Sequence, residues 1–289
     1  MKETGLVTVL FKSDDVLDGF IKSLSIQNYT DYHLFIIDNS PSLETDQLLK
    51  DLSIKYGFYQ FTHLKNENNE GVAKGNNKGI QLSLEAGTKY TLLLNNDIEF
   101  EDPNLLENLL LQSKNENLTI PKILYYDTRK IWVAGGKFIF YKGIIEHFGD
   151  GAESDQYNQE MYCDYSPTCF MLIKNDVFKK IGIMDEKYFV YYDDTDFIYR
   201  AYVEGYRIKY LPNLVVLHKV SSSTGGNDSP FSIYYANRNR IYFIKKNFKG
   251  FNYLLAMFVT LTSRIWKYLR YNKNEKQKLY GAIVDGLKM

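Results

Sequence analysis

The first hundred residues alternate between two periodicities. Apolar runs at residues 6–11, 33–38, 59–64 and 91–94 are separated by helix-like stretches at about 15–25, 45–56 and 74–86. Short strands each followed by twenty or more residues suit crossover connections, hence a parallel sheet covered by helices rather than a set of hairpins. The predicted fold class is therefore α/β, and this half reads as a nucleotide-binding type of layer. A helix at about 104–114 is entered through Pro103. The pattern then loosens into short strands with "AGG" and "KG" turns up to about Asp164. From Cys169 a second unit follows: strand "FMLI", helix "DVFKKI", an acidic cluster, a helix through "FIYRAYVEG", and two strands, "RIKYL" and "NLVVLH".

The net charge of zero conceals an asymmetry. Residues 232–289 carry twelve Lys and Arg against Glu275 and Asp285, a balance of +10, so the preceding residues sum to −10. Two regions with different partners are expected, residues 1–220 and a basic, mostly helical 232–289, joined by a Ser- and Gly-rich loop at 221–231 that reads as flexible. The stretch "FNYLLAMFVTLTSRIWKYLRY" is too interrupted by charge to span a bilayer but suits its interface, and a dimer or subdomain contact is the plain alternative. Cys163 and Cys169 match no zinc spacing, no signal peptide is read at the N-terminus, and there is no 18-residue apolar span. A reduced, cytoplasmic setting follows as the expectation, peripheral at the inner face of the plasma membrane if the tail seats there. Nothing points to nucleic acid as a partner, and an oligomer stays open.

In doubly wound sheets ligands collect beyond the carboxyl ends of the strands. This chain puts its least strand-like residues there. The 33–38 run ends in Asp38, Asn39 and Ser40, suited to a ribose or base edge, and the 91–94 run ends in Asn95, Asn96 and Asp97. Between them "EGVAKGNNKGI" repeats glycine at Gly71, Gly75 and Gly79 and offers Asn76 and Asn77. On a helix that spacing leaves a smooth packing stripe; at a helix start it exposes N–H donors to an anion. It matches neither the dinucleotide fingerprint nor the P-loop. Caps and turns are the plain alternatives for Asp38 and Asp97, less so for Asp97, because Asn95, Asn96 and Asp97 together exceed what a cap needs.

A second acidic constellation lies in "YYDDTDFIYR". Asp196 and Arg200 form an i,i+4 helical pair worth about 0.2–0.5 kcal/mol, which explains that acid structurally. Asp193 and Asp194 have no such explanation. Adjacent carboxylates raise each other's proton affinity, which gives a base active near neutral pH. His218 closes an apolar strand and is a metal-ligand candidate.

The order "IIDNS", "EGVAKGNNKGI", "LLLNNDIEF" and then 168–218 with its "YYDDTD" and "NLVVLH" resembles the inverting family-2 glycosyltransferases of the GT-A fold. Within them it is similar to the rhamnosyltransferase-like enzymes of bacterial surface polysaccharide synthesis, over about residues 6–247. The resemblance implies a GT-A, Rossmann-like mixed sheet flanked by helices over residues 1–220, with a nucleotide-binding half at about 1–115, an acceptor-binding half at about 116–220, and a C-terminal helical extension. It implies a sugar moved from a nucleoside-diphosphate donor, UDP or dTDP, to a saccharide or polyprenyl-linked saccharide with Mg²⁺ or Mn²⁺ as cofactor. Residue by residue, Asp38 with Asn39 matches the nucleoside contact, and Gly71, Gly75, Asn76 and Asn77 the segment beside the nucleotide. Asn95, Asn96 and Asp97 match the D-x-D region, with Asp97 in the metal place. Asp193 and Asp194 match the "ED" pair whose second member is the base, and His218 a histidine of the metal shell. Asn95 departs from the first acid of the fullest motif, Met184 stands where an aromatic is usual, and "PTCF" lacks a common glycine. A catalytically weak saccharide-binding relative is the nearest rival. A sugar-nucleotide pyrophosphorylase is disfavoured because "FKSDDVLDG" lacks a Gly-rich basic loop after the first strand.

Overall fold

The computed structural model describes residues 2–220 and 229–289. Most of the expected 221–231 loop lies outside the described residues. The chain runs β1 (Thr4–Leu10), α1 (Leu17–Ser25), β2 (Tyr32–Asp38), α2 (Leu43–Tyr56), β3 (Phe61–Lys65), α3 (Gly71–Glu85), β4 (Tyr90–Leu94), β5 (Ile98–Glu99) and α4 (Leu105–Gln112). It continues through β6 (Leu118–Tyr125), β7 (Ile131–Val133), β8 (Gly136–Ile139), β9 (Ile144–His147), β10 (Met161–Cys163), β11 (Phe170–Lys174), α5 (Asn175–Ile181), α6 (Asp193–Val203) and β12 (Ile208–His218). Three helices finish it, α7 (Pro230–Asn247), α8 (Gly250–Arg270) and α9 (Lys273–Lys288).

One sheet, in the order β10-β12-β6-β11-β4-β1-β2-β3, runs through the fold, with β5 on β12 and β7 on β6 at its side. β1, β2, β3 and β4 are parallel, as the alternation predicts. β11 inserts antiparallel between β4 and β6, making the sheet mixed. The two strands expected near the end are a single β12, whose register shifts between Leu211 and Val215. The helix expected from residue 74 begins earlier, at Gly71, because φ of +83° and a tight approach let the chain turn there; a Cβ on Gly71 would lie 2.3 Å from Phe189 O. Gly75 and Gly79 face Val9 and Val7 of β1, so they serve the packing stripe, and α3 lies close on the sheet. Apolar side chains fill both faces, one under α1, α2 and α4, the other under α3, α6 and α7.

The basic region is not a detached tail. Ile241, Tyr242, Phe243 and Ile244 of α7 are buried in the same core as α6 and β8, and Leu279 and Ala282 of α9 are buried in turn. α8 sends Ala256, Met257 and Thr260 inward. Its opposite face presents Phe251, Leu254, Phe258, Ile265, Trp266 and Leu269, each more than 60% exposed. Among the described residues no helix is long and apolar enough to cross a membrane.

Candidate active site

A cleft of about 670 Å³ opens beyond the carboxyl ends of β1, β2 and β4. Six of the sequence-predicted residues line it: Asn39, Gly71, Asn76, Asn95, Asn96 and Asp97. Asn39 fixes one wall, donating to Gly71 O at 3.0 Å and accepting from Asn66 at 2.8 Å. Asn96 donates to Ser13 Oγ, and the Asn95 amide to Cys169 O at 2.8 Å, which ties the β4 end to the start of β11. Phe189, Phe231 and Tyr235 close the far side, with Tyr235 stacked on Phe189 at 5.2 Å.

Three other predicted residues stand elsewhere. Asp38 is buried behind the lining, where it accepts from Ser40 N at 2.8 Å and lies 3.0 Å from His63 Nε2. Gly75 sits under Val9. Asn77 turns away and grips the backbone of Met184, whose N–H it accepts and whose carbonyl it donates to, both at 2.9 Å.

Asp97 and His218 meet because β5 pairs antiparallel with the end of β12. Asp97 Oδ1 lies 3.1 Å from His218 Nε2, yet Oδ1 is buried without a hydrogen bond, and so is His218 Nδ1. Two ligands about 2.1 Å from one Mg²⁺ and at right angles stand about 3.0 Å apart, so the orphaned oxygen and the imidazole fit a shared divalent cation. No third His, Cys, Asp or Glu joins them among the described residues.

Asp193 and Asp194 open α6, where acids complement the helix dipole. Asp194 is held on both oxygens: Tyr165 Oη donates to Oδ2 at 2.8 Å, and the Thr195 amide and hydroxyl to Oδ1 at 2.6 and 3.1 Å. Burial raises its pKa. Asp193 is buried more completely, and burial followed by the neighbouring Asp194 charge pushes it up to about 8. Both carboxyls of the pair are therefore raised above the ordinary aspartate range, and each holds a proton more readily than an isolated aspartate. The backbone before it is strained, since Tyr191 and Tyr192 take φ of 63° and 66°. Asn239 of α7, fully buried, holds that segment by donating to Val190 O and Tyr191 O, each at 2.8 Å. Cys169 lies between the two acidic corners; burial and then the charges of Asp97 and Asp194 raise its thiol well above the usual range.

Asp196 corrects the sequence reading. Its carboxylate is fully buried and meets not only Arg200 Nε but Lys246 Nζ and Asn247 Nδ2, each at 2.9 Å. It is a core junction between α6 and α7 rather than a surface pair. The sequence reading also passed over Asn239, Trp132, His147 and Tyr165. Only the polarity of "NRNR" inside an aromatic helix, at 237–240, signals any of them.

The family model described as glycosyl transferase family 2 matches residues 6–182. The low-salt glycan biosynthesis hexosyltransferase Agl10 of Haloferax volcanii is 25% identical over 246 residues, 83% of this chain and 75% of that protein. The dTDP-rhamnosyl transferase RfbF of Shigella flexneri is 26% identical over 241 residues, 80% of this chain and 76% of that protein. Among solved structures, GalNAc-T7 with UDP, GalNAc and Mn²⁺ superposes with a TM-score of 0.66 at 15% identity, covering 85% of this chain and 48% of that one. This chain thus spans about half the length of GalNAc-T7, and the likeness is one of fold, the GT-A fold. The mixed sheet and the extent of the family match together make this chain a member of glycosyl transferase family 2, a rhamnosyltransferase-like enzyme with the GT-A fold.

Proposed function

We propose that the protein transfers a sugar from a UDP- or dTDP-sugar to a hydroxyl of a saccharide or lipid-linked saccharide, by one in-line displacement that inverts the anomeric centre, in cell-surface polysaccharide synthesis. The observation that carries this reading is the pair of unlike carboxylate corners on either side of Cys169. Asn39, Gly71 and Asn76 line the cleft for the nucleotide. Asp97 and His218 would hold Mg²⁺ or Mn²⁺, which when bound would supply countercharge to the departing diphosphate. Asn95 stands in place of a second acid, so Asp97 would be the one carboxylate holding the cation, and its affinity without nucleotide would be weak. Asp194 takes the proton of the acceptor hydroxyl as its oxygen bonds to the anomeric carbon and the bond to the diphosphate breaks, a contribution of about 10²–10⁴-fold.

The acceptor's lipid places the enzyme at a membrane surface in this reading. The exposed apolar face of α8 with Lys249, Lys267, Arg270 and Lys273 nearby suits an anionic leaflet, each cation being worth about 1 kcal/mol there. Cosedimentation of the full chain with phosphatidylglycerol vesicles, lost in Phe258→Ser/Trp266→Ser/Leu269→Ser, is the expected result.

The central test is release of UDP or dTDP from a panel of nucleotide sugars with Mn²⁺, and again with EDTA. Metal-dependent release is expected. Tight nucleotide binding with no turnover on any donor would point instead to a non-catalytic saccharide binder, and release unchanged by EDTA would remove the metal from the mechanism.

A further inference from the structure

A row of four rings links the two acidic corners. The ring of His218, beside Asp97, packs edge-on to Trp132 of β7 with centroids 4.3 Å apart. Trp132 meets His147, at the end of β9, edge-on at 5.5 Å. His147 stacks on Tyr165 at 6.0 Å with planes 10° apart, and Tyr165 Oη donates to Asp194 at 2.8 Å. The row therefore begins at the proposed cation site and ends at the proposed base.

We infer that Trp132 forms the platform on which the acceptor's pyranose ring lies, with His147 standing edge-on at its rim and the reacting hydroxyl directed along the row toward Asp194. This rests on the transferase reading given above. An in-line displacement places the acceptor on the base's side of the anomeric carbon, so a ring bound there has to lie near Asp194 without displacing the diphosphate. A pyranose offers one apolar face of C–H groups and a rim of hydroxyls, and its natural complement is a flat ring with polar edges. Trp132 supplies the flat face with its indole N–H, and His147, nearly perpendicular to it, supplies a polar edge. They are half-buried, unlike Tyr165, which is 2% exposed and serves as the row's anchor. The Trp132 indole N–H and both ring nitrogens of His147 bond to no other described residue, so they remain free for hydroxyls. Burial lowers the His147 pKa against the opposing pull of Asp194 and Asp150, which keeps the ring neutral with one donor and one acceptor nitrogen. Neither residue lines the nucleotide cleft.

The test uses the full chain with Trp266→Phe, which leaves Trp132 as the sole tryptophan. Titration with the methyl glycosides of glucose, galactose, N-acetylglucosamine and rhamnose is expected to change Trp132 emission saturably for at least one of them. Sorbitol, with hydroxyls but no ring, is expected to leave the emission unchanged. The responding glycoside should accelerate UDP or dTDP release, and Trp132→Ala should raise its half-saturation about tenfold, with Trp132→Phe recovering part of the loss. Calorimetric affinity for UDP or dTDP with Mn²⁺ should stay within about threefold in Trp132→Ala. No saturable response to any glycoside overturns the platform. So does a loss of Mn²⁺–nucleotide affinity in Trp132→Ala as large as its loss of glycoside response, because Trp132 then merely supports His218. Metal-dependent donor hydrolysis that persists through either failure leaves the transferase reading standing, whereas its absence from the unmutated chain removes that reading too.

Discussion

Asp97 and Asp194 lie at opposite ends of one row of rings, and they are held in opposite ways. Asp97 Oδ1 is buried without a hydrogen bond beside His218, on backbone that needs no unusual conformation. Asp194 has both oxygens bonded and follows two residues in the left-handed region, held by a helix nearly fifty residues farther along. An unsatisfied buried carboxylate is costly until something binds it; a fully bonded one is already oriented. The first arrangement suits a ligand site completed by its cargo, the second a group that must act in one direction. The Asp97 corner is assembled from adjacent strand ends of one sheet, the Asp194 corner from a helix start, the segment before β11 and a residue of α7.

The sharpest way to break this contrast is to neutralise each corner alone. Asp194→Asn keeps the shape but cannot accept a proton, so turnover is expected to fall by about 10²-fold or more while donor affinity stays within about threefold. Asp97→Asn is expected to do the reverse. Nucleotide affinity with Mn²⁺, read by calorimetry, should fall by more than the roughly 10–100-fold typical of losing an outer-shell partner, while thermal stability holds. If the two variants lose the same quantity, the corners do not have separate tasks.

Asp196→Asn sharpens the contrast from the side of stability. Arg200 and Lys246 would lose their buried partner, and because both cations are partly exposed the cost is put at about 2–4 kcal/mol, read by urea unfolding. A loss of only a few tenths would restore the surface-pair reading. Asn239→Ala tests the clamp itself. With Val190 O and Tyr191 O released, turnover should fall about tenfold at unchanged nucleotide affinity, and Tyr191→Gly in that background should recover part of it, because glycine adopts positive φ without strain. Equal turnover in Asn239→Ala and the unmutated chain would show that the strained segment holds itself.

How much of this was legible follows the same division. β1 to β4 could be placed from residue order alone, because parallel crossovers force strand ends and helix starts onto one edge, and the Asn95–Asp97 segment therefore fell into the cleft. The antiparallel insertion of β11 has no local signature, since its apolar run reads the same in either direction. Asp38 looked like a cleft residue because nothing in "IIDNS" announces His63, a neighbour created only by β2–β3 pairing. Asp196 showed its i+4 partner but not Lys246 or Asn247, and Trp132 and His147 sit on short strands whose juxtaposition no periodicity encodes.

The smallest expected effect on turnover belongs to Asp193→Asn, and its pH dependence decides which acid holds the proton. Asp193 is raised to about 8 by burial and then by the charge of Asp194, with Asp196 adding to the same direction; Tyr165 and His147 face the pair from across the row. In the unfolded chain an aspartate ionises near 3.9. Between those values the folded state keeps a proton that the unfolded state has released, so this group's contribution to stability is fully present below about pH 4 and is lost as pH rises through about 8, at up to about 1.4 kcal/mol per pH unit. Asparagine is a fixed copy of the protonated form and carries no such dependence. Thermal melts should therefore show Asp193→Asn gaining on the unmutated protein at pH 8 by more than it does at pH 5, with turnover reduced by less than about tenfold at pH 7. A difference in melting temperature that is the same at both pH values would mean that Asp193 does not hold the proton. A turnover loss matching that of Asp194→Asn would move the base from Asp194 to Asp193, and the contrast between a waiting corner and an oriented one would have to be redrawn around the more deeply buried acid.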